Sequence, residues 1–271
     1  PLAKPRIGGG DLLRLLSDHM GLRCDKAHTP SVPANMAVFV VGDIHGQVQD
    51  LAQLHQRILT TAEALPRTTQ KTIIYLGDYG DHGPDTCGVV DLLVSAPLTG
   101  FKTHYLLGDQ DVQLLRFMRG GREVLRGDPK LIHWLNAMGG LQTLRSYGVT
   151  IPQLATPQNL VMMRTELLRK MPGDHISFYQ NLHLSHWIGD FFFSHAGARS
   201  SREAKDQTPS DLLAPEYDTI PANMLEKVII HSHAPHKARA PKQSRLCVGA
   251  CPSGGEGLQG LLIDHQRLAW V

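Results

Sequence analysis

Val38-Phe39-Val40-Val41-Gly42-Asp43-Ile44-His45-Gly46 is an apolar run that stops on Gly-Asp, and the chain uses the same device twice more. Thr72-Ile73-Ile74-Tyr75-Leu76 runs into Gly77-Asp78-Tyr79-Gly80-Asp81-His82-Gly83, and Thr103-His104-Tyr105-Leu106-Leu107 runs into Gly108-Asp109-Gln110-Asp111. Two later runs stop on histidine: Phe191-Phe192-Phe193-Ser194 before His195, and Val228-Ile229-Ile230 before His231-Ser232-His233. Short runs rich in β-branched and aromatic residues read as buried strands. Each of the five then carries a metal-ligating side chain at its carboxyl end, where open α/β sheets bind their ligands. Carboxylates with imidazoles suit a pair of divalent cations about 3.5–4 Å apart, the arrangement that serves phosphoester hydrolysis. A single Gly-Asp would be no more than a turn at a strand end. Three in the same relation to a strand point to one shared site.

Outward from these strands the period becomes helical. Val48, Leu51, Leu54 and Ile58 form one apolar face, and Pro84-Asp85 starts a helix through Val89, Val90, Leu92 and Leu93. The order is β-α-β-α-β, for which right-handed parallel crossovers are the default. A third helix carries Val112, Leu115 and Met118. The stretch 120–185 reads as mostly helical, with Gly139-Gly140 dividing Leu131, Trp134, Leu135 and Met138 from Leu141, Leu144 and Tyr147. This gives a helical insertion at about 112–185 that caps or flanks the site. Strands return at 191–194, 228–231, 245–248 and 258–263, and the polar segment 199–222 reads as a loop. His231 could serve as a surrogate ligand or acid, but as an alternate strand residue it is expected to face the other side of the sheet. Residues 1–37 read as an N-terminal extension, with a short amphipathic helix from Asp11 to Met20, and the domain proper as 38–271.

Composition narrows the class. A chain of 271 residues with 42% hydrophobic and 19% charged residues is ordinary for a globular protein. A net charge of +2 implies no nucleic-acid or other polyanion partner. Of Cys24, Cys87, Cys247 and Cys251 only the last two are close, so no cysteine zinc site is expected, and the usage suits a reducing intracellular compartment. That compartment would be the cytoplasm, or an organelle matrix after N-terminal processing. No run approaches the ~20 apolar residues of a membrane span, and no signal peptide is visible. The chain opens on Pro1 rather than Met, which is read as an N-terminus removed by design or by processing.

The motif set resembles the phosphoprotein-phosphatase branch of the calcineurin-like metallophosphoesterases, and within it the bacterial-type serine/threonine phosphatases. The family pattern is GDxHG, GDxxDRG, GNHE, HAG or HGG, and a late GHTP. This chain has Gly42–Gly46, Gly77–Gly83, Gly108–Asp111, His195-Ala196-Gly197 and Ser232-His233-Ala234-Pro235 in that order, and Trp134 to Val149 also resembles the bacterial branch. The likeness covers roughly residues 36–265. It implies an α/β fold, a metallophosphatase-type sandwich of two mixed sheets flanked by helices. It further implies two divalent metal ions (Mn, Fe or Zn). Asp43 and His45 would hold the first, Asp78 would bridge, and Asp109, His195 and His233 would complete the second.

Four positions depart from that pattern. Asp109 replaces a neutral Asn, which should tighten metal binding while reducing the positive charge offered to a phosphate. The histidine expected to protonate the leaving oxygen is Gln110, and the arginine expected to clamp the phosphate is His82. After Asp211-Leu212-Leu213 the second phosphate arginine aligns with Glu216, and the only nearby cations are Arg199 and Arg202. Asp81 is retained. Loss of a general acid alone is worth about 10²–10⁴ in rate. The expected function is a catalytically impaired pseudophosphatase, a binding or structural subunit with a protein partner. The alternative is an active metal-dependent phosphoesterase of altered specificity, acting on a phosphoprotein, a nucleotide or another small phosphoester, in which His82 takes over the missing acid.

Overall fold

β1 (Met36–Val41) is the axis of the molecule, and five of its six residues are buried. Its side chains alternate between two cores. Val38 and Val40 join Ile74, Leu76, Phe191, Phe193, Ile230, Leu261 and Ile263, whereas Ala37, Phe39 and Val41 join Leu51, Leu54, Val89 and Phe117. A strand buried on both faces must be apolar throughout, and this explains why the decisive run is unbroken.

The structure is a computed structural model that describes residues 29–199, 202–214, 227–233, 245–249 and 257–271. The expected helix at Asp11–Met20, and Cys24, Glu216, Ala234, Pro235 and Cys251, lie outside the described residues. From β1 the chain enters α1 (Val48–Glu63), β2 (Gln70–Tyr75), α2 (Thr86–Ser95) and β3 (Phe101–Tyr105). Asp85 caps α2 by accepting the Gly88 amide at 2.8 Å. Then come α3 (Asp109–Arg119), α4 (Arg122–Leu125), α5 (Pro129–Ala137), α6 (Gly140–Ser146), α7 (Leu160–Lys170) and α8 (Gly173–Gln180). Gly139 divides α5 from α6 with a left-handed φ of 92°. β4 (Ser185–Ile188), β5 (Phe191–Ser194), a 3-10 turn at Ala204–Asp206 and α9 (Pro209–Leu213) follow. β6 (Val228–His231), β7 (Arg245–Cys247), β8 (Gly260–Asp264) and β9 (Arg267–Trp270) complete the described chain.

Both sheets are mixed. The first has the order β3-β2-β1-β8-β9, parallel from β3 to β1 and antiparallel beyond. The second has the order β4-β5-β6-β7, with only β4 antiparallel. The helices from α1 to α8 share one core with the outer face of the first sheet, and Leu212 of α9 packs with Phe192 and Ile229 on the second. The fold is thus the expected α/β sandwich of two mixed sheets flanked by helices.

Three details differ from the sequence reading. β4 and β9 escape it because Ser-His-Trp-Ile and Arg-Leu-Ala-Trp are too short for a period to show. The polar segment expected as a loop contains α9. There Thr208 accepts the Asp211 amide while Asp211 accepts the Thr208 amide, and Pro209 takes the first helical position. The segment ahead of β1 is tied down: Val32 is buried and its N–H donates to His265 O at 3.0 Å.

Candidate metal centre

β1, β2 and β3 end in register, so the loops bearing Asp43, Asp78 and Asp109 leave one edge of the sheet together. Backbone conformation there is unusual. His45, Asp78, Asp81 and His82 have φ of 47°, 54°, 66° and 50°, four of the five non-glycine positive φ values among the described residues. Each costs about 1–2 kcal/mol, and such strain clusters at functional sites. The loops hold one another in place. Ile44 and His45 donate their N–H groups to Asp78 O at 3.0 and 2.9 Å, and Gly46 donates to Tyr79 O at 2.9 Å. Gly108 has to be glycine, because a Cβ there would run into the Asp78 amide and carboxylate. Asp111, to which sequence reading gave no role, gathers the Asp78, Gly108 and Tyr79 amides at 2.8, 2.9 and 3.2 Å. Its place three residues after a helix-opening Gly-Asp was the available signal.

Two groups of ligand-capable atoms result, each lying within 4.8 Å of one another: Asp43, His45 and Asp78, and Asp78, Asp109, His195 and His233. Asp78 belongs to both. His45 Nδ1 faces Gly80 O at 3.1 Å and His195 Nδ1 faces Leu76 O at 3.0 Å. With those nitrogens as donors, each Nε2 is left to face the site's carboxylates, as backbone carbonyls commonly arrange for metal-binding histidines. His195 Nε2 lies 3.1 Å from Asp109 Oδ1 and 3.6 Å from Asp78 Oδ2, and His233 Nδ1 lies 3.7 Å from Asp109 Oδ1. His231 belongs to neither group; its Nδ1 faces His233 O at 3.1 Å.

Electrostatics show what the cluster needs. Burial raises the Asp78 carboxyl well above the usual range, with Asp43, Asp109 and Asp111 adding to the effect. Burial would lower His195, yet Asp78, Asp109 and Asp43 overcome it and hold the imidazole up to about 10. Asp43 Oδ1 is buried and accepts no hydrogen bond. Carboxylates this crowded call for positive charge, and an oxygen-and-imidazole donor set fits Mn, Fe or Zn. Such ions, when bound, supply Lewis acidity and an activated water.

The flanking positions behave otherwise. His82 sits edge-on to His45 with ring centroids 5.0 Å apart, and partial burial together with His45 lowers its pKa, against the pull of Asp109. Gln110 is buried; its amide nitrogen reaches Asp109 Oδ2 at 3.4 Å, and its Oε1 has no partner. Asp81 is turned into the protein, where its two oxygens accept from Thr143 Oγ1 and Trp134 Nε1, each at 2.6 Å. Burial raises its carboxyl to about 7 in spite of these donors. Arg199 and Arg202 both bind Asp211, the latter at 3.0 Å. Burial would raise Asp211, but Thr208 and the two guanidiniums hold it down at about 2. Thr208 also donates its N–H and hydroxyl to Asp211, at 2.8 and 2.6 Å, so the two guanidiniums join an anion already held in place.

The model of the calcineurin-like phosphoesterase family matches residues 36–256. The chain belongs to this family. A Caenorhabditis elegans protein whose name assigns it provisionally to the serine/threonine-protein phosphatases is 36% identical over 87 residues, which is 32% of this chain and only 18% of that relative. Among solved structures, a hypothetical protein from Pyrococcus horikoshii OT3 superposes with a TM-score of 0.51 at 13% identity, covering 87% of each chain. A serine/threonine phosphatase from Saccharomyces cerevisiae, described as similar to human PP5, gives a TM-score of 0.40 at 15% identity, over 75% of this chain and 62% of its own. The archaeal likeness bears on fold alone. Calcineurin-like domains usually hold divalent metals, and the two groups above are the candidate ligands here. Among the described residues no helix is long and apolar enough to cross a membrane.

Proposed function

We propose that this domain, residues 38–271 behind an extension at 1–37, is a metal-binding pseudophosphatase that serves as a binding or structural subunit for a protein partner. Asp43, His45 and Asp78 would hold one cation, and Asp78, Asp109, His195 and His233 the other. The observation that carries this reading is the contrast inside the site. The ligand-capable groups converge within 4.8 Å, while the principal charges acting on Asp78, Asp109 and His195 are other carboxylates and imidazoles, none of them a lysine or arginine. A phosphate dianion would meet three carboxylates and no guanidinium clamp. Gln110, at the leaving-group position, has no proton to give.

The test pairs elemental analysis with turnover. The protein, refolded with excess Mn2+, Fe2+ or Zn2+, should retain one to two equivalents of metal and hydrolyse 4-nitrophenyl phosphate no faster than its Asp78→Asn variant. Less than about half an equivalent of metal sinks the metal-binding half. A kcat within the common enzyme range of ~1–10³ s⁻¹ sinks the other half.

One observation favours the second reading, an active phosphoesterase of altered specificity. A cavity of about 390 Å³ adjoins Asp109 and Gln110, walled by Pro129, Lys130, His133 and Trp134. That is large enough for the organic part of a small phosphoester or a phosphorylated side chain. Turnover that appears only with a bulky aryl or peptide phosphoester, and not with a small one, would select this reading.

A further inference from the structure

Among the described residues five large apolar side chains are exposed, and four of them stand on the helical insertion. Leu125 of α4, Leu154, and Val161 and Met162 of α7 are 69%, 60%, 45% and 55% exposed. Scattered singly such residues need no explanation, but grouped they mark interaction surfaces. These four lie on segments that meet. α4 packs on α7. Gly127, just past α4, lies so near Pro157, just ahead of α7, that a Cβ on it would stand 2.5 Å from the proline ring. Asn159, at the start of α7, donates its side-chain amide to Leu154 O at 3.0 Å. Arg164 of α7 donates to Met118 O and Arg119 O at 2.9 and 3.3 Å, which fixes α7 against the end of α3. Val124, Leu160, Met163 and Leu167 already supply the helical core, so Leu125, Val161 and Met162 are left on the outer faces of the same helices. The charges around this patch have one sign. Glu123 and Asp128, the acids of this stretch, both pair with Arg116, at 3.2 and 2.8 Å. Arg119, Arg122 and Arg126 are exposed and have no ion pair among the described residues.

We propose that this surface docks an acidic amphipathic segment of a protein partner, which deepens the reading of the domain as a binding subunit and rests on it. The segment's apolar side chains lie against Leu125, Val161 and Met162, and its carboxylates face Arg119, Arg122 and Arg126. Apolar anchors supply the affinity of such contacts, and a rim of one charge sets the sign of the partner. A second copy of this chain fits poorly, because a two-fold contact through the same patch sets arginine against arginine. A lipid surface suits one continuous amphipathic helix, whereas the apolar groups here come from two helices and a loop. Lys130, exposed at the wall of the cavity beside Asp109, carries the positive edge from the patch toward the metal centre.

The experiment is fluorescence anisotropy of the full chain with a labelled helical peptide that carries leucines along one face and glutamates on the rest. Wild type should bind it saturably, and less tightly as salt is raised. Arg122→Glu/Arg126→Glu should weaken binding by about tenfold or more, and should bind the lysine version of the peptide better than wild type does. Leu125→Ser/Met162→Ser, which leaves every charge in place, should also cost about tenfold or more. All four positions are exposed, and unchanged Mn2+ stoichiometry shows that each variant is folded. No saturable binding by wild type, or binding that neither pair of changes weakens, overturns the proposal. So does a surface that ignores the peptide yet sediments with phosphatidylserine vesicles and loses them in the arginine variant, since it then serves a membrane. Metal content and turnover are read separately, so a failure of this surface leaves the pseudophosphatase reading standing, and turnover would sink that reading without touching the peptide result.

Discussion

The residues that could hold metal and the residues beside them that would handle phosphate are fixed in different ways. Asp43, Asp78 and Asp109 stand where the backbone puts them, at the ends of three parallel strands whose loops hydrogen-bond to one another. His45 and His195 are oriented by the carbonyls of Gly80 and Leu76. Changing this set means changing the sheet. Asp81, His82 and Gln110 are only side chains beside those ligands, and the groups that engage Asp81 come from distant helices. Trp134 and Thr143, 53 and 62 residues from Asp81, have taken its oxygens. Metal-holding geometry can therefore persist as a by-product of the fold, while phosphate chemistry depends on a few side chains that the fold does not require.

The comparison breaks most readily at the shared ligand. Asp78→Asn should weaken binding of both cations by more than the ~10–100-fold that even an outer-shell partner is worth, read as a loss of both Mn2+ equivalents by calorimetry. If one ion still binds with its affinity unchanged, Asp78 is not shared.

The phosphate-handling half should be repairable without touching the metal half. Gln110→His with His82→Arg restores a general acid and one bidentate clamp. Because Asp81 is already engaged, the gain on an aryl phosphate should fall short of the full ~10²–10⁴ of an acid, at roughly 10- to 100-fold. Adding Trp134→Phe should raise it further by releasing Asp81, and Asp109→Asn further still. Variants that bind two metals and remain inactive would place the deficit elsewhere.

A smaller effect separates the buttress from the ligands. Asp111→Ala leaves three buried amides without their acceptor and should lower stability by about 2–4 kcal/mol in urea unfolding. It should weaken Mn2+ binding as well, because the Asp78 loop loosens. A loss under ~0.5 kcal/mol would show that water replaces the carboxylate.

The smallest expected effect lies away from the site. His55 is buried against the Tyr75 hydroxyl at 2.8 Å, and burial lowers it from 6.5 to about 4. Above pH 6.5 the ring is neutral folded and unfolded, and its contribution is complete. Between 6.5 and about 4 only the unfolded chain takes the proton, so stability falls with pH across that window. At ~1.4 kcal/mol for each pH step of one, that window sets a ceiling of ~3.5 kcal/mol, which the ring's residual solvation reduces to ~1–3 kcal/mol. His55→Gln should flatten that part of the stability–pH curve relative to wild type. An unchanged slope would mean that the ring is already protonated in the fold.

Much of this could be read from the chain. Five apolar runs ending in Asp or His gave five strands and the edge at which they gather, since strand burial and Gly-Asp turns are local in sequence. The order of the motifs gave the family and the sandwich. β4 and β9 could not be read, because four-residue strands become strands only when a neighbour pairs with them. Nor could the pairing of Arg199 and Arg202, the only nearby cations of the sequence reading, with Asp211. By itself the sequence determined which atoms could bind metal and at which strand ends they would stand. Only the tertiary structure decided which ring nitrogens face the site's carboxylates, which carboxylates are already engaged and which cations are already paired. Those outcomes depend on groups tens of residues apart that packing alone brings within hydrogen-bond distance.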